Sequence, residues 1–349
     1  MREAKDPLYS SYIVNCMFNV FSSYTAIALN ILTIHAMRKT SSLPKPLKTL
    51  LLSLAVSDLG VGLLVQPFHI AWMVNPTYFT VTSLHILAPL FVNASFFSVV
   101  AISVDRFLAI HLHLRYQEFV THKRVVAVVI SIWLLSTFFP LIIALRIPQD
   151  VVYVSDTVFA VLFGICFVCT TLVYCRIYFI ARRHTNQIQA LQVQQEELNG
   201  KMTNFMRQKK SAVSTFYVYL AFLVCCLPEY CASVAAKFLG PSSALNGLLL
   251  YLGSLMLFNS SLNPVVYCWK MRHIRLAIMD ILRNILPHRT WTKPAAVCRL
   301  DKSTLLFVYF YERHFFTTNN SFRLIVRPKI SIPFKFVTQH NLQTLFVYV

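Results

Sequence analysis

Asn263-Pro264-Val265-Val266-Tyr267 lies inside the last of seven long apolar segments, and Asp105-Arg106-Phe107 closes the inner end of the third. An ionised side chain in or bordering hydrocarbon costs about 2.5–3.5 kcal/mol, so a membrane chain keeps one only where it acts or pairs. A proline inside a membrane helix removes a backbone hydrogen bond and tends to kink the rod. Both stretches therefore mark working positions, and together they point to spanning helices around a polar interior.

Outward from these two landmarks, apolar stretches near 12–37, 47–73, 80–111, 123–145, 153–182, 208–236 and 243–268 are each long enough to span. About 20 residues cross about 30 Å of hydrocarbon. With 56% apolar and 13% charged residues in 349, the chain has less charge and longer apolar runs than a soluble protein. The fold expected is all-α: a seven-transmembrane helix bundle with an amphipathic eighth helix on the membrane surface. The domain reading follows. Residues 1–11 form a short extracellular N-terminus, 12–268 the bundle, 269–287 the amphipathic helix and 288–349 a cytoplasmic tail. The amphipathic assignment rests on Ile274, Ala277, Ile278, Ile281, Leu282 and Ile285, with basic residues in the same run. The tail has no glycine and carries β-branched and aromatic runs at 305–311 and 331–337. Such runs aggregate when exposed, so the tail either associates with membrane or lies outside the working protein.

The net charge of +19 is not a nucleic-acid surface, because it clusters by loop. Arg38, Lys39, Lys45 and Lys48 follow the first span, Lys123 and Arg124 precede the fourth, and Lys201, Arg207, Lys209 and Lys210 precede the sixth. Lys270, Arg272 and Arg275 follow the seventh. Such a bias predicts a multi-pass plasma-membrane protein with its amino terminus outside and its carboxyl terminus in the cytoplasm. Membrane lipids are then partners, anionic inner-leaflet lipid above all. No cleavable signal peptide is visible, since residues 1–11 are polar and the next apolar run is span-length. The outer connections at 75–79, 147–152 and 239–242 are too short to form a ligand-binding domain, so an outside ligand must enter the bundle.

Spacing brings polar residues together inside. Ser95 and Arg106 are eleven residues apart, about three turns. The stripe through them reads His85, Ala88, Val92, Ser95, Val99, Ile102 and Arg106. Asn259, Asn263 and Tyr267 share a face of the last span by i, i+4, i+8 spacing. Asp58, Ser95, Asn259 and Asn263 then converge near the bundle centre. Two readings stand: a hydrated polar network that ties helices together, or hard oxygen ligands around one carboxylate for a small cation.

The ordered set resembles the rhodopsin-like class of G-protein-coupled receptors. It runs from Asn30 and Leu54-Ala55-Val56-Ser57-Asp58 through Asp105-Arg106-Phe107 and Trp133 to Phe222, Pro228 and Asn263-Pro264-Val265-Val266-Tyr267. The resemblance covers residues 12–285. It implies a receptor, not an enzyme, that passes an extracellular ligand's signal to a heterotrimeric G protein, with arrestin as a further inner partner. It implies no cofactor beyond an allosteric sodium ion at Asp58, Ser95, Asn259 and Asn263. Asp105 and Arg106 look like the family's inner switch. Leu114 corresponds to the loop residue that relatives insert into the G protein. Tyr174 and Tyr267 correspond to tyrosines that meet near the arginine in active relatives. Phe222, Pro228 and Pro264 belong to the moving parts.

Departures from the family pattern carry information. Val81 stands where the third-helix disulfide cysteine would, Cys166 replaces the usual fifth-helix proline, and Cys226 replaces the usual sixth-helix tryptophan. These traits are similar to the melanocortin, lysophospholipid, cannabinoid and adenosine receptor subgroup. With the tryptophan gone, Phe222 stacked near Phe96 is expected to transmit movement. Gln208 occupies the place of an acidic residue that extends the lock in many relatives, which predicts measurable basal signalling.

Ala88 takes the position of the aspartate that grips amine ligands, so a peptide, lipid or nucleoside fits better than an amine. The outer half holds His69, His85, Glu229 and Tyr230 as candidate ligand-binding residues alongside Ala88. A buried Glu229 needs a partner: a ligand cation, His69 or His85, or a proton. The alternative class, a seven-helix membrane transporter or channel, predicts paired repeats and broken helices in both halves. The sequence shows no such repeat.

Overall fold

The structure is a computed structural model that describes residues 9–40, 43–112, 115–144, 149–191, 198–240 and 242–285, and the dipeptides 324–325 and 345–346. Helix α1 runs Tyr9–Lys39, α2 Lys45–Val74, α3 Tyr78–His111, α4 His122–Ala144, α5 Gln149–Leu191, α6 Leu198–Leu239, α7 Ser243–Lys270 and α8 Arg272–Ile285. Six of them hold a segment long and apolar enough to cross a bilayer: α1, α2, α3, Ala160–Ile180 of α5, Ser211–Leu239 of α6 and Ala244–Lys270 of α7. The 23 residues of α4 reach about 34 Å at 1.5 Å per residue, which completes seven. The outer face is apolar, with Met17 71%, Tyr24 73% and Leu134 68% exposed. Water would oppose that surface, and lipid solvates it. Helices α5 and α6 continue beyond hydrocarbon length at their inner ends.

Helix α3 is the hub, packing against α2, α4, α5 and α6, while α1 packs on α2 and α7. Two glycines permit this closeness in α2. A Cβ on Gly60 would lie 2.2 Å from the Phe91 ring, and one on Gly62 would lie 3.1 Å from the Ala26 Cβ. Helix α2 also widens to a π turn at Val61–Val65, just before Pro67. Pro67 has no N–H to give the carbonyl five residues back, Gly62 O. The Ser23 hydroxyl of α1 supplies that bond at 2.8 Å.

Polar residues stitch the apolar rods. Asn30 Nδ2 donates to Ala26 O and to Ser260 O of α7, both at 2.9 Å. Trp133 Nε1 of α4 donates to Ser53 Oγ at 3.2 Å. Replacing Asn30 by alanine leaves the buried Ser260 carbonyl without this donor, at a cost of about 1–3 kcal/mol. The purified Asn30→Ala protein should therefore lose its fold several degrees below the native chain in a thermal-melt assay. An unchanged midpoint would show that α1 and α7 are held elsewhere.

Helix ends are set by local chemistry. Thr77 and Thr80 form a reciprocal capping box at α3, and Ser242 Oγ accepts from Leu245 N at α7. Gly240 ends α6 with φ of +76°, the left-handed conformation that glycine adopts without a Cβ clash. Helix α8 buries Ile274, Ile278 and Ile281 at i, i+4, i+7, and its Asp280 meets Lys39 of α1 at 2.6 Å. That pair is about half exposed, so it positions the helix more than it stabilises it.

The chain divides into two compact units, Met1–Thr290 and Trp291–Val349. In the second, Leu324–Ile325 and Leu345–Phe346 pair as two short parallel strands. The rest of the tail, and the readings made of it, lie outside the described residues.

Candidate functional site

Three polar or aromatic layers stack along the bundle axis. The central one is built on Asp58, fully buried on α2. Its Oδ1 accepts from Ser95 Oγ at 3.1 Å and its Oδ2 from Asn263 Nδ2 at 2.8 Å. Asn259 lies in the same layer, 2% exposed. The four residues expected to converge are thus assembled from α2, α3 and α7. Asn259 Oδ1, Asn263 Oδ1 and Tyr267 Oη are buried without a hydrogen-bond partner among the described residues. A cavity of about 10 Å³ touches Ser95, Asn259, Ser260, Phe222 and Cys226. That volume holds one water-sized particle. The donor set suits a small monovalent cation: one carboxylate, a hydroxyl and free amide oxygens. It does not suit a transition metal, since no group of three His, Cys, Asp or Glu side chains forms among the described residues.

The inner layer is the Asp105–Arg106 pair, both side chains 4% exposed. Arg106 Nε and Nη2 both donate to Asp105 Oδ2, the first at 2.9 Å. Two further partners escaped the sequence reading. Arg106 Nη1 donates to Ser211 Oγ of α6 at 3.1 Å, and Tyr116 Oη donates to Asp105 Oδ1 at 2.6 Å. The carboxylate is therefore gripped on both oxygens, and the guanidinium ties α3 to α6. Burial first, and the adjacent Asp105 charge second, push the Tyr116 phenol well above its ordinary range, so it stays a donor. Tyr174 is buried and accepts from Ser103 Oγ at 3.1 Å, while its ring stacks on Tyr219 at 5.0 Å. Arg106 held to α6 and Tyr174 held to Ser103 describe a closed inner face. Leu114 and the Gln208 side chain lie outside the described residues.

Beside the central layer Phe222 of α6 packs on Phe96 of α3, ring centres 5.4 Å apart, and Phe96 stacks on Phe163 of α5 at 4.1 Å. This aromatic contact joins the three helices one turn from Cys226, as expected from the missing tryptophan. Pro228 lies within α6 just beyond it, and Pro264 within α7.

The outer layer is looser than the sequence suggested. Ala88 sits among Val61, Val65, Leu257, Phe91 and Met256. His69 is buried and its ring stacks with Trp72 at 5.5 Å. His85 is exposed, because α3 buries nothing between Tyr78 and Val92 and the stripe runs out of neighbours there. Glu229 Oε1 accepts from Ser233 Oγ, one turn on, at 2.7 Å. No hydrogen bond or ion pair joins it to either histidine among the described residues, so the His–Glu cluster is not formed. Tyr230 Oη donates to Ala160 O at 2.8 Å, fastening α6 to α5.

The comparisons agree with this architecture. The model of the family described as "7 transmembrane receptor (rhodopsin family)" matches residues 29–267. Adenosine receptor A2b of Gallus gallus is 24% identical over 318 residues, covering 79% of this chain and 89% of the relative. Adenosine receptor A3 of Ovis aries is 26% identical over 286 residues, 74% of this chain and 86% of the relative. Adenosine receptor A2a of Cavia porcellus is 26% identical over 298 residues, 76% and 71%. With the family model spanning more than half of its length and the buried motif residues in one bundle, the chain belongs to the rhodopsin family of seven-transmembrane receptors.

Proposed function

We propose that the receptor takes a small extracellular ligand into the outer bundle and answers by swinging the inner end of α6 about Pro228. Arg106 is thereby uncovered for a heterotrimeric G protein, and for arrestin afterwards. The observation that carries this reading is the two-sided hold on Arg106, by Asp105 on its own helix and by Ser211 on α6. Magnitudes set its character. A hydrogen bond to a charged group contributes about 1.5–3 kcal/mol. Driving a 1:99 balance to 99:1 takes about 5.5 kcal/mol. The Ser211 tether alone is weaker than that, so the closed state opens part of the time and the receptor signals basally. Basic residues at the inner ends of α1, α6 and α7 support an extracellular amino terminus and a plasma-membrane location.

The central layer fits a sodium ion. Asp58, Ser95, Asn259 and Asn263 would hold it, and bound there it would supply a positive charge beside the buried Asp58 carboxylate. The chain's own residues do the rest: Asn263 and Ser95 keep α7 and α3 drawn to α2 through Asp58.

For the ligand, we propose a nucleoside of the adenosine type, ahead of peptide or lipid. The named relatives are adenosine receptors, and Ala88 offers no charge to an amine. Cells expressing the full chain with G-protein activation reporters, cleared of endogenous nucleoside by adenosine deaminase, test both parts. Raised basal exchange and a further saturable response to a deaminase-resistant adenosine analogue are expected. Reporters at the level of untransfected cells in both conditions would reject the reading.

A finer test uses Tyr116. Its removal frees one oxygen of Asp105 and loosens the resting pair by about 0.5–1.5 kcal/mol. Tyr116→Phe should raise basal nucleotide exchange about two- to tenfold. Unchanged or lower basal exchange would show that the phenol has no part in the latch.

A further inference from the structure

The inner halves of α1 and α2 leave a groove between them on the lipid side of the bundle. It has a volume of about 360 Å³ and is lined by Ile31, Ile34, His35, Arg38, Val56 and Leu59. Its walls are apolar and its inner mouth is basic. Arg38 lies one residue from the inner end of α1, and Ile31 lies about 10 Å deeper at 1.5 Å per residue. On α2, Leu59 is about 21 Å from the inner end at Lys45. The groove therefore reaches from the inner surface to about the depth of one leaflet, half of about 30 Å of hydrocarbon. Neighbouring cations are engaged elsewhere: Lys39 with Asp280, and Lys48 with the carbonyls of Arg38 and Thr40. The Arg38 guanidinium and the His35 ring are exposed and make no hydrogen bond or ion pair among the described residues.

We propose that this groove is a binding site for one anionic phospholipid of the inner leaflet. An acyl chain lies along Ile31, Ile34, Val56 and Leu59, and the headgroup phosphate sits on Arg38 and His35. The inference rests on the inner-leaflet placement of these helix ends, and not on the ligand or the latch. Charge complementarity argues the occupant. A guanidinium grips a phosphate by two parallel N–H bonds, and imidazole donates an N–H in either protonation state. A zwitterionic lipid brings the same phosphate with a cation beside it, which Arg38 repels. A sterol covers the walls but offers one hydroxyl and no charge to the mouth. A second copy meeting this face about a two-fold axis sets Arg38 against Arg38. A bound lipid bridges α1 and α2, and so braces the helix that carries Asp58.

The test titrates the full chain in detergent micelles with phosphatidylserine, phosphatidylcholine or cholesterol, and native mass spectrometry counts the molecules bound. Phosphatidylserine should saturate at one tightly held molecule, with phosphatidylcholine about fivefold weaker, the effect of about 1 kcal/mol for one basic residue at the surface. Arg38→Gln should bring phosphatidylserine down to the level of phosphatidylcholine. Val56→Phe, which fills the groove from an exposed position, should weaken both lipids at least fivefold. Arg272→Gln removes the same charge at the exposed start of α8 and should change nothing. Equal affinity of the native chain for the two phospholipids would overturn the site, and that comparison needs no variant to fold. Equal losses in Arg38→Gln and Arg272→Gln would overturn it as well, leaving only diffuse attraction. Tighter binding of cholesterol, or dimers that Val56→Phe dissolves, would assign the groove to a sterol or a second copy instead. Micelles have no inner and outer side, and basal exchange in cells reads the receptor assignment separately, so either proposal can fail alone.

Discussion

Substituting Arg106 by glutamine on an Asp105→Asn background should abolish G-protein nucleotide exchange, a fall of about 10- to 150-fold. The guanidinium is the buried cation at the inner end of α3, and hydrogen bonds to a charged group contribute about 1.5–3 kcal/mol each. The background matters. Arg106→Gln alone leaves Asp105 as a buried, half-partnered carboxylate, which costs about 3–5 kcal/mol and confuses misfolding with lost coupling. In the double variant both positions are neutral and the Tyr116 hydroxyl still has an acceptor. Asp105→Asn alone gives the opposite sign, because Arg106 loses its ionic partner while keeping Ser211. Basal exchange should then rise above that of the native chain. Exchange in reconstituted vesicles, scaled to receptor amount, checks all three proteins. If the double variant exchanges like the native chain, Arg106 is not the coupling group.

The second large effect falls on Asp58. Basal exchange should be about tenfold lower in sodium chloride than in an equal concentration of choline chloride, and Asp58→Asn should erase that difference. A sodium ion there would neutralise the buried carboxylate to which Ser95 and Asn263 donate, and about tenfold corresponds to about 1.4 kcal/mol of preference for the closed arrangement. Asparagine keeps the shape and the hydrogen bond from Ser95, and its N–H can donate to Asn263 once that carboxamide turns its unpartnered oxygen inward. The variant should fold while losing the charge. A sodium effect that persists in Asp58→Asn would move the ion elsewhere, and no sodium effect in the native chain would leave the layer as a hydrated network.

Much of this was readable from residues in order, for identifiable reasons. The spans follow from apolar length, and the central layer from helical spacing: Asp58, Ser95 and Asn263 meet as their faces demand. The Phe222–Phe96 contact followed from the tryptophan that is missing at Cys226. Ser211 and Tyr116 did not show, because neither residue type stands out in a sequence and each reaches the Asp105–Arg106 pair across a helix or loop. A phenol eleven residues after Asp105 was the available signal. The π turn before Pro67 did not show either, because it depends on a hydroxyl from another helix. His85 failed for a different reason. The periodic stripe assumes a covered face along the whole of α3, and the outer end of that helix has no tight neighbour.

The central claim is that the inner ends of α3 and α6 have two arrangements, joined through Arg106 and Ser211 when closed. Pulsed electron–electron distance measurements address it directly, with spin labels on non-natural residues at the lipid-facing positions Val104 and Val213, which are 44% and 45% exposed. The account predicts a short-distance majority for the native chain alone and a second population longer by several ångströms when nucleotide-free G protein is added. A single unchanged distance distribution, with and without a bound G protein, would contradict it.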